Sequence, residues 1–342
     1  VDVRLSAEQL ALRDSAAQVV DRLGPKTVAD LDDAERTAKL AAAVEASGWR
    51  ELRVAGQGSA PLASAVEVAI IAEELGRGLA DAAFLGPTLA AELRRITGAD
   101  EPSESETVGV ANDLLGLASA AGGTLTQAGT ALDAAGAGSA LVLAEGNHLA
   151  RVAVRDVAVE VDQTRPSALL GLGADATAVG GRGLEEAELT RLSALGLATS
   201  CADLVGTMRG AIELARVYAQ DREQYGVHIG SFQAVQHLLA DAYVAMEGSR
   251  SLALHAAWAV DALEPDEALA ASAAAKAYCA RAARNVCETG IQVHGGIGNT
   301  WECLAHVFLR RALVSSELFG GVDRSLERVL AAQGLGGEHG LR

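Results

Sequence analysis

Val235, Leu238, Leu239 and Ala242 recur at the spacing of one helix face, directly after a charged turn at residues 222–226. The same kind of pattern divides the chain into three textures. Residues 1–103 carry helical spacing. Ser6-Ala7-Glu8-Gln9 has the form of a capping box and is followed by Leu10, Leu12 and Val19. Val66, Val68, Ile70, Ile71 and Leu75 predict a second helix over 65–79, with Gly76 and Gly78 at its end. Pro87 and Pro102 predict later turns. In residues 104–185 glycine and threonine rise. Leu141-Val142-Leu143, then Glu145-Gly146-Asn147, then residues 149–154 form a hairpin signal. Val157, Val159 and Val161 alternate with Ala158, Glu160 and Asp162, the period of a strand. This middle part reads as a small β domain. From 186 to 342 the helical pattern returns in long spans: 187–220, 232–262, 266–291 and 302–316, with a tail helix over 322–333. Breaks fall at Tyr225-Gly226, at Glu264-Pro265-Asp266 and at residues 295–298. Long helices with short connections predict an antiparallel bundle. The expected fold is mainly α with a small β domain between a helical domain and a bundle.

Composition sharpens this picture. The 342 residues suffice for two or three folding units. Half of them are hydrophobic, yet only 3% are aromatic. Alanine makes up much of the difference, which favours closely packed helices. The net charge of -17 repels nucleic acid, so no nucleic-acid role is expected. Residues 1–9 do not look like an export signal, and no apolar run approaches the roughly 18 residues of a membrane span. Cys201, Cys279, Cys287 and Cys303 form no C-x-x-C pair, which suits reduced thiols in a cytoplasmic protein.

The candidate chemistry lies in two stretches. Arg222-Glu223-Gln224-Tyr225-Gly226 opens a helix boundary, and Gln292-Val293-His294-Gly295-Gly296-Ile297-Gly298 forms a glycine-rich one. Together they suggest a site for a large phosphorylated cofactor. Arg222 offers a planar fork that matches phosphate oxygens. Gln224 adds a neutral donor, and Tyr225, Ile229 and Phe232 offer apolar faces. Gly295, Gly296 and Gly298 let the backbone approach a phosphate or nucleoside closely. Gln292 can bond the same region, and Gln233 can contact the cofactor or cross-link helices. His294 and His306 lack the carboxylate or cysteine cluster that a metal site needs, so no metal is expected.

The order of the three textures resembles the acyl-CoA dehydrogenase family over nearly the whole chain. The resemblance is carried by Ala72-Glu73-Glu74-Leu75-Gly76-Arg77, by Tyr218-Ala219-x-x-Arg222-x-Gln224-Tyr225-Gly226, by Phe232-Gln233-x-x-Gln236-x-x-Leu239-Ala240-Asp241 and by Gln292-x-x-Gly295-Gly296-x-Gly298. It implies FAD and an acyl-CoA thioester, dehydrogenated between its α and β carbons. It also implies that one subunit's flavin is gripped by a neighbour through Arg222, Gln224, Tyr225, Ile229, Phe232, Gln233, Gln292, Val293, Gly295, Gly296 and Gly298.

The chain departs from that family where the chemistry would occur. The two positions at which the resemblance places a catalytic glutamate hold Phe319 and Gly196, and neither accepts a proton. The middle domain is short and carries alanine and glycine where a flavin-holding stretch is expected. These departures resemble the short, non-catalytic subunit of heteromeric bacterial members, which pair unlike chains as α2β2 tetramers and often act on steroid side-chain CoA thioesters. A catalytic acyl-CoA dehydrogenase subunit would then supply the base and most of the acyl site, with an electron-transfer flavoprotein as acceptor. Two alternatives stand beside this: a self-sufficient homomeric enzyme whose base is displaced to Glu317 or Glu302, and a flavin-free scaffold subunit.

Overall fold

The computed structural model describes residues 4–56, 60–159 and 161–335. Residues 1–3 of the expected N-terminal segment, Glu160 of the expected strand and residues 336–342 lie outside it. Four helices open the chain: α1 (Ala7–Leu23), α2 (Ala34–Ala46), α3 (Ala65–Arg77) and α4 (Leu85–Thr97). The capping box at α1 is formed, with Gln9 N donating to Ser6 Oγ at 3.2 Å and Ser6 N to Gln9 Oε1 at 2.9 Å. Ala16 and Val20 make the buried face of α1, and Leu10 points outward. Ser64 caps α3 in the same way with Glu67.

Two punctuation residues act differently from the sequence expectation. Gly76 lies inside α3, and only Gly78 caps it. Pro87 begins rather than interrupts structure. It sits in the first turn of α4, where a missing N–H costs nothing. That helix start is capped from a distance: Asp133 Oδ2 accepts from Phe84 N at 3.3 Å and Gly86 N at 3.2 Å.

The middle of the chain forms β1 (Glu106–Ala111), β2 (Ala120–Ala121), β3 (Thr124–Leu125), β4 (Gly129–Ala131), β5 (Ser139–Leu143), β6 (Leu149–Ala153), β7 (Ala168–Leu170) and β8 (Ala176–Ala178). Six of them make one sheet in the order β7-β4-β1-β5-β6-β8, parallel only between β1 and β5. The β5–β6 hairpin expected from the sequence is present, with Leu143 opposite Leu149 and left-handed Gly146 and Asn147 in its turn. Leu125, Val142, Val152 and Leu170 give the sheet an apolar core of its own.

The strand expected at 157–161 is absent among the described residues. Val157, Val159 and Val161 are all exposed, and the segment makes only a single bridge, Ala158 to Ser167. Alternation specifies a strand only where a neighbour pairs with it. Here the chain is instead anchored by the charged residues that follow, Asp162 and Arg165, described below.

The remaining elements are α5 (Glu186–Asp221), the short pair β9 (Glu223–Gln224) and β10 (Val227–His228), α6 (Gln233–Ala262), α7 (Pro265–His294), α8 (Ala305–Glu317) and α9 (Val322–Ala332). α5 to α8 form the expected bundle, and no helix among the described residues is long and apolar enough to cross a membrane.

α3 crosses α5 closely because both helices present glycine at the contact. A Cβ on Gly76 would meet the Asp203 carbonyl oxygen at 2.5 Å, and one on Gly206 would overlap the Glu73 carbonyl. The crossing is then fastened by charge. Arg209 Nη1 donates to Glu73 at 2.5 Å and to Glu74 at 2.7 Å, and Arg250 Nη2 of α6 donates to Glu73 at 2.6 Å. Gly206→Ala is therefore expected to force the two helices apart and destabilise the protein by about 1–3 kcal/mol, the usual range for overpacking. Urea unfolding measures it; an unchanged midpoint would contradict the close crossing.

Candidate functional site

α5 ends where Arg222 N donates to the Tyr218 carbonyl at 2.8 Å. The chain then turns back through Tyr225 and Gly226, both at positive φ, as a tight two-residue hairpin between β9 and β10 demands. Ile229 N closes the hairpin on the Arg222 carbonyl at 2.8 Å, and Gln236 Nε2 ties its base to the Gly230 carbonyl at 2.9 Å. So Gln236 of α6 holds the turn that carries Arg222.

An apolar cluster joins this hairpin to the glycine-rich stretch. Ala215 and Ala219 of α5 and Val293 of α7 are buried together, with Ile229, Val235 and Leu239 packed against them. The Tyr218 ring stacks on the His294 ring at 4.5 Å, and His294 Nδ1 bonds the Gly290 carbonyl at 2.7 Å. Burial lowers the His294 pKa, so the stacked ring is neutral. α7 stops at Gly295, whose φ of 64 and ψ of -141 suit glycine alone. Gly298 is buried, and a Cβ there would lie 2.8 Å from the Ile291 carbonyl. Gly295 and Gly296 instead face open space, with nothing within 4 Å of a built Cβ.

The residues singled out in the sequence thus fall into two groups. Arg222, Gln224, Tyr225, Phe232, Gln233, Gln292, Gly295 and Gly296 are exposed. Ile229, Val293 and Gly298 lie beneath them and hold the surface in place. Tyr225 meets Phe232 edge-on at 6.5 Å, and Gln224 Nε2 donates to the neighbouring Glu223 carbonyl at 2.7 Å. The Arg222 guanidinium has no ion pair or hydrogen bond among the described residues, in contrast to Arg209, Arg250 and Arg311. An unpaired guanidinium, open glycine backbone and two amide side chains on one surface suit a phosphate-bearing ligand.

The two positions where a base was sought meet each other. Phe319 follows α8, is 3% exposed and adopts a left-handed φ of 62. A Cβ on Gly196 would lie 2.8–2.9 Å from its ring carbons, so the ring fills the space that glycine leaves. Glu317 and Glu302 are both exposed. A base that abstracts a carbon-bound proton is normally tuned by burial, and neither carboxylate has that setting.

Sequence patterns missed a buried polar network nearby. Asp203 of α5 accepts from Arg311 Nε at 3.0 Å and Nη2 at 2.6 Å, and from Ser315 Oγ at 2.6 Å. Arg165 lies 3.3 Å from the same carboxylate and also bonds Asp162 at 2.6 Å and Ser315 Oγ at 2.6 Å. Burial alone would raise the Asp203 pKa, but Arg165 and Arg311 outweigh it and keep the group ionised. The cavity bounded by Asp133, Arg165, Thr199, Asp203 and Arg311 holds about 10 Å³, room for one water at most. No periodicity marks these residues; the only hint is charge within otherwise apolar surroundings. A larger cavity, about 680 Å³, lies between α4 and the start of the sheet and contains none of the predicted site residues. Two of its arginines are already engaged, Arg94 with Glu106 and Arg95 with Glu92.

Lys276 of α7 is buried beside this network. Its ammonium donates to Ser200 Oγ at 2.9 Å and to the Ser315 carbonyl. Burial lowers its pKa from 10.5 to about 8. The unfolded chain therefore holds this proton more tightly than the folded one. Stability from this group is lowest below pH 8 and rises as the pH climbs from about 8 to 10.5. The full rise corresponds to about 3 kcal/mol. Lys276→Met is expected to flatten that part of the stability–pH curve without loss at neutral pH. Denaturant midpoints between pH 7 and pH 10.5 measure it, and an undiminished rise in the variant would refute the assignment.

The chain matches the family described as "Acyl-CoA dehydrogenase, C-terminal domain" over residues 190–335. It is 36% identical over 218 residues to the acyl-CoA dehydrogenase FadE34 of Mycobacterium tuberculosis, covering 62% of this chain but only 30% of that protein. It is 30% identical over 265 residues to the acyl-CoA dehydrogenase IpdE2 of the same organism, covering 77% of this chain and 76% of the relative. Among solved structures, a chain of the ChsE4–ChsE5 complex from M. tuberculosis is similar with a TM-score of 0.80 and 23% identity, over 98% of this chain and 99% of that one. At that identity the likeness is one of fold.

Proposed function

The chain belongs to the acyl-CoA dehydrogenase family, and we propose that it serves there as a non-catalytic subunit whose hairpin and glycine loop hold the FAD of a catalytic partner. The observation that carries this reading is a division within the molecule. The surface around Arg222, Gln292, Gly295 and Gly296 is open and its guanidinium unpaired, whereas the chain's own base positions are Phe319 packed on Gly196. The tight Asp203–Arg311–Arg165 network supports the same reading, since it leaves no ring-sized space between the 162–165 segment and the bundle. In this scheme residues 1–103, 104–185 and 186–342 act as helical domain, shortened β domain and cofactor-gripping bundle.

FAD, when bound, supplies the hydride acceptor for dehydrogenation of an acyl-CoA thioester. This chain's residues bind and orient it. Arg222 would hold the pyrophosphate through its guanidinium, which has no partner among the described residues. Gln224, Gln233 and Gln292 contribute neutral donors, and the bare backbone at Gly295 and Gly296 permits close approach. Tyr225 and Phe232 offer exposed apolar faces, while Ile229, Val293 and Gly298 fix the loop from below. The catalytic base and most of the acyl pocket belong to the partner in an α2β2 assembly. The ChsE4–ChsE5 relative, itself a complex of two named chains, supports the idea of an unlike pair. A steroid side-chain CoA thioester is the proposed substrate class, on the resemblance to heteromeric members that the Gly295-Gly296-Ile297-Gly298-x-Thr300-Trp301-Glu302 stretch helps to carry. An electron-transfer flavoprotein is the proposed acceptor. The cytoplasm is the proposed compartment, in keeping with four unpaired cysteines.

Expression of the chain alone and together with its catalytic partner tests the proposal. Alone it should retain little flavin; together the unlike pair should carry a single FAD and turn over substrate. Full flavin loading and turnover by the chain alone would overturn the reading. Arg222→Ala should weaken FAD binding in the complex by about tenfold, the scale of one charge-assisted contact; unchanged flavin content would remove Arg222 from the site. Glu317→Gln should leave turnover intact, and loss of activity there would revive the homomeric alternative.

A further inference from the structure

The glycine loop runs directly into an aromatic residue with no structural use for its exposure. Trp301 is 59% exposed, yet it is not loose. The Arg310 guanidinium lies 5.5 Å over its ring centroid, and the His306 ring meets it edge-on at 4.6 Å and 82°. The segment that carries it is fixed as well. Thr300 N and Oγ1 both donate to the Ile297 carbonyl, at 3.0 and 2.8 Å. The indole is thus held in one orientation with much of its surface left to solvent.

Two further features single out this cluster. Arg310 forms no ion pair among the described residues, although the adjacent Arg311 is fully engaged with Asp203. His306 is buried, and its Nε2 has no hydrogen-bond partner among the described residues. Burial, together with Arg310, lowers its pKa and keeps the ring neutral beside the cation. An unpaired buried acceptor and an open indole both cost stability, and such local costs concentrate where a surface has a function. A rigid aromatic plane with an unpaired guanidinium, next to backbone open to phosphate, matches a purine nucleoside diphosphate. The base stacks on the exposed indole and the diphosphate meets the glycine loop.

We propose that Trp301, braced by Arg310 and His306, is a stacking platform for the adenine end of the dinucleotide held by the loop at residues 295–298. The inference rests on the reading that this chain contacts FAD, and it names the half of the cofactor that the chain recognises. Trp301 touches the base; His306 is a positioning residue that acts through the indole.

The test uses the complex with the catalytic partner and ADP as an adenine-bearing probe that lacks the flavin. In Trp301→Ala, affinity for both FAD and ADP should fall by about tenfold, the scale of one base–aromatic stack. Trp301→Phe should restore most of it. The thermal shift produced by ADP should shrink in Trp301→Ala, while the ligand-free melting temperature and the mass of the complex stay unchanged. Unchanged FAD and ADP affinity in an intact complex would overturn the platform. Dissociation of the complex in Trp301→Ala would also overturn it and make the indole a protein-contact residue. Failure of the underlying functional reading looks different: the chain alone would then retain FAD, whatever residue stands at 301.

Discussion

Asp203 carries a charge removed from water at the point where several parts of the chain meet. Its carboxylate binds Arg311 and Ser315 of α8 and lies beside Arg165, which sits between β6 and β7. Its backbone carbonyl is the surface against which Gly76 of α3 packs. An isolated buried carboxylate would cost several kcal/mol, so this position is tolerable only while all its partners stay in place. That requirement docks the 162–165 segment onto the bundle and fixes the α3–α5 spacing. It also explains why the molecule has no open cleft there: guanidinium groups and a serine hydroxyl occupy the space between the elements.

The opposite condition holds at the far end of α5. There the hairpin and the glycine loop rest on a small apolar cluster, and their polar groups remain largely unspent. The Arg222 side chain has no partner among the described residues, Gly295 and Gly296 face open space, and Gln292 is exposed. The middle and the C-terminal end of one helix therefore show the two fates of a polar group in a folded chain. At Asp203 the groups are satisfied internally and stabilise the packing. At Arg222 they are kept available for something outside the chain. This contrast, more than any single motif, is what supports the proposed shared cofactor.

The sequence made the long helices legible because each carries its own signal. Ser6 and Gln9 announce α1, and the spacing of Val235, Leu239 and Ala242 announces α6. The β5–β6 hairpin was legible for the same reason, since Gly146 and Asn147 can adopt the turn it needs. The failures share a cause: they depend on what lies across space. Val157, Val159 and Val161 alternate correctly, but among the described residues their segment gains only the bridge of Ala158 to Ser167. Pro87 reads as a break until Asp133, distant in sequence, caps the helix around it. Gly76 reads as a terminator until α5 is seen to need its missing side chain. Of the candidate site, Arg222 and the glycine loop could be picked out by residue type, but not that Ala219, Val293 and Ile229 bring them together. Asp203, Arg165 and Arg311 gave no pattern at all, because an ionic network has no period.

The contact between Gly196 and Phe319 carries a consequence for how this chain can change over generations. The aromatic ring occupies the place of any side chain at 196, and its backbone sits in a left-handed conformation beside Gly320. A carboxylate introduced at 196 alone would collide with the ring. Shrinking Phe319 first would leave a void in the core before any acid could use it. A base at 196 would thus need both positions to change together. On the proposed reading, dependence on a partner would be held by sterics as well as by the missing acid, and loss of the function would be easier than its recovery.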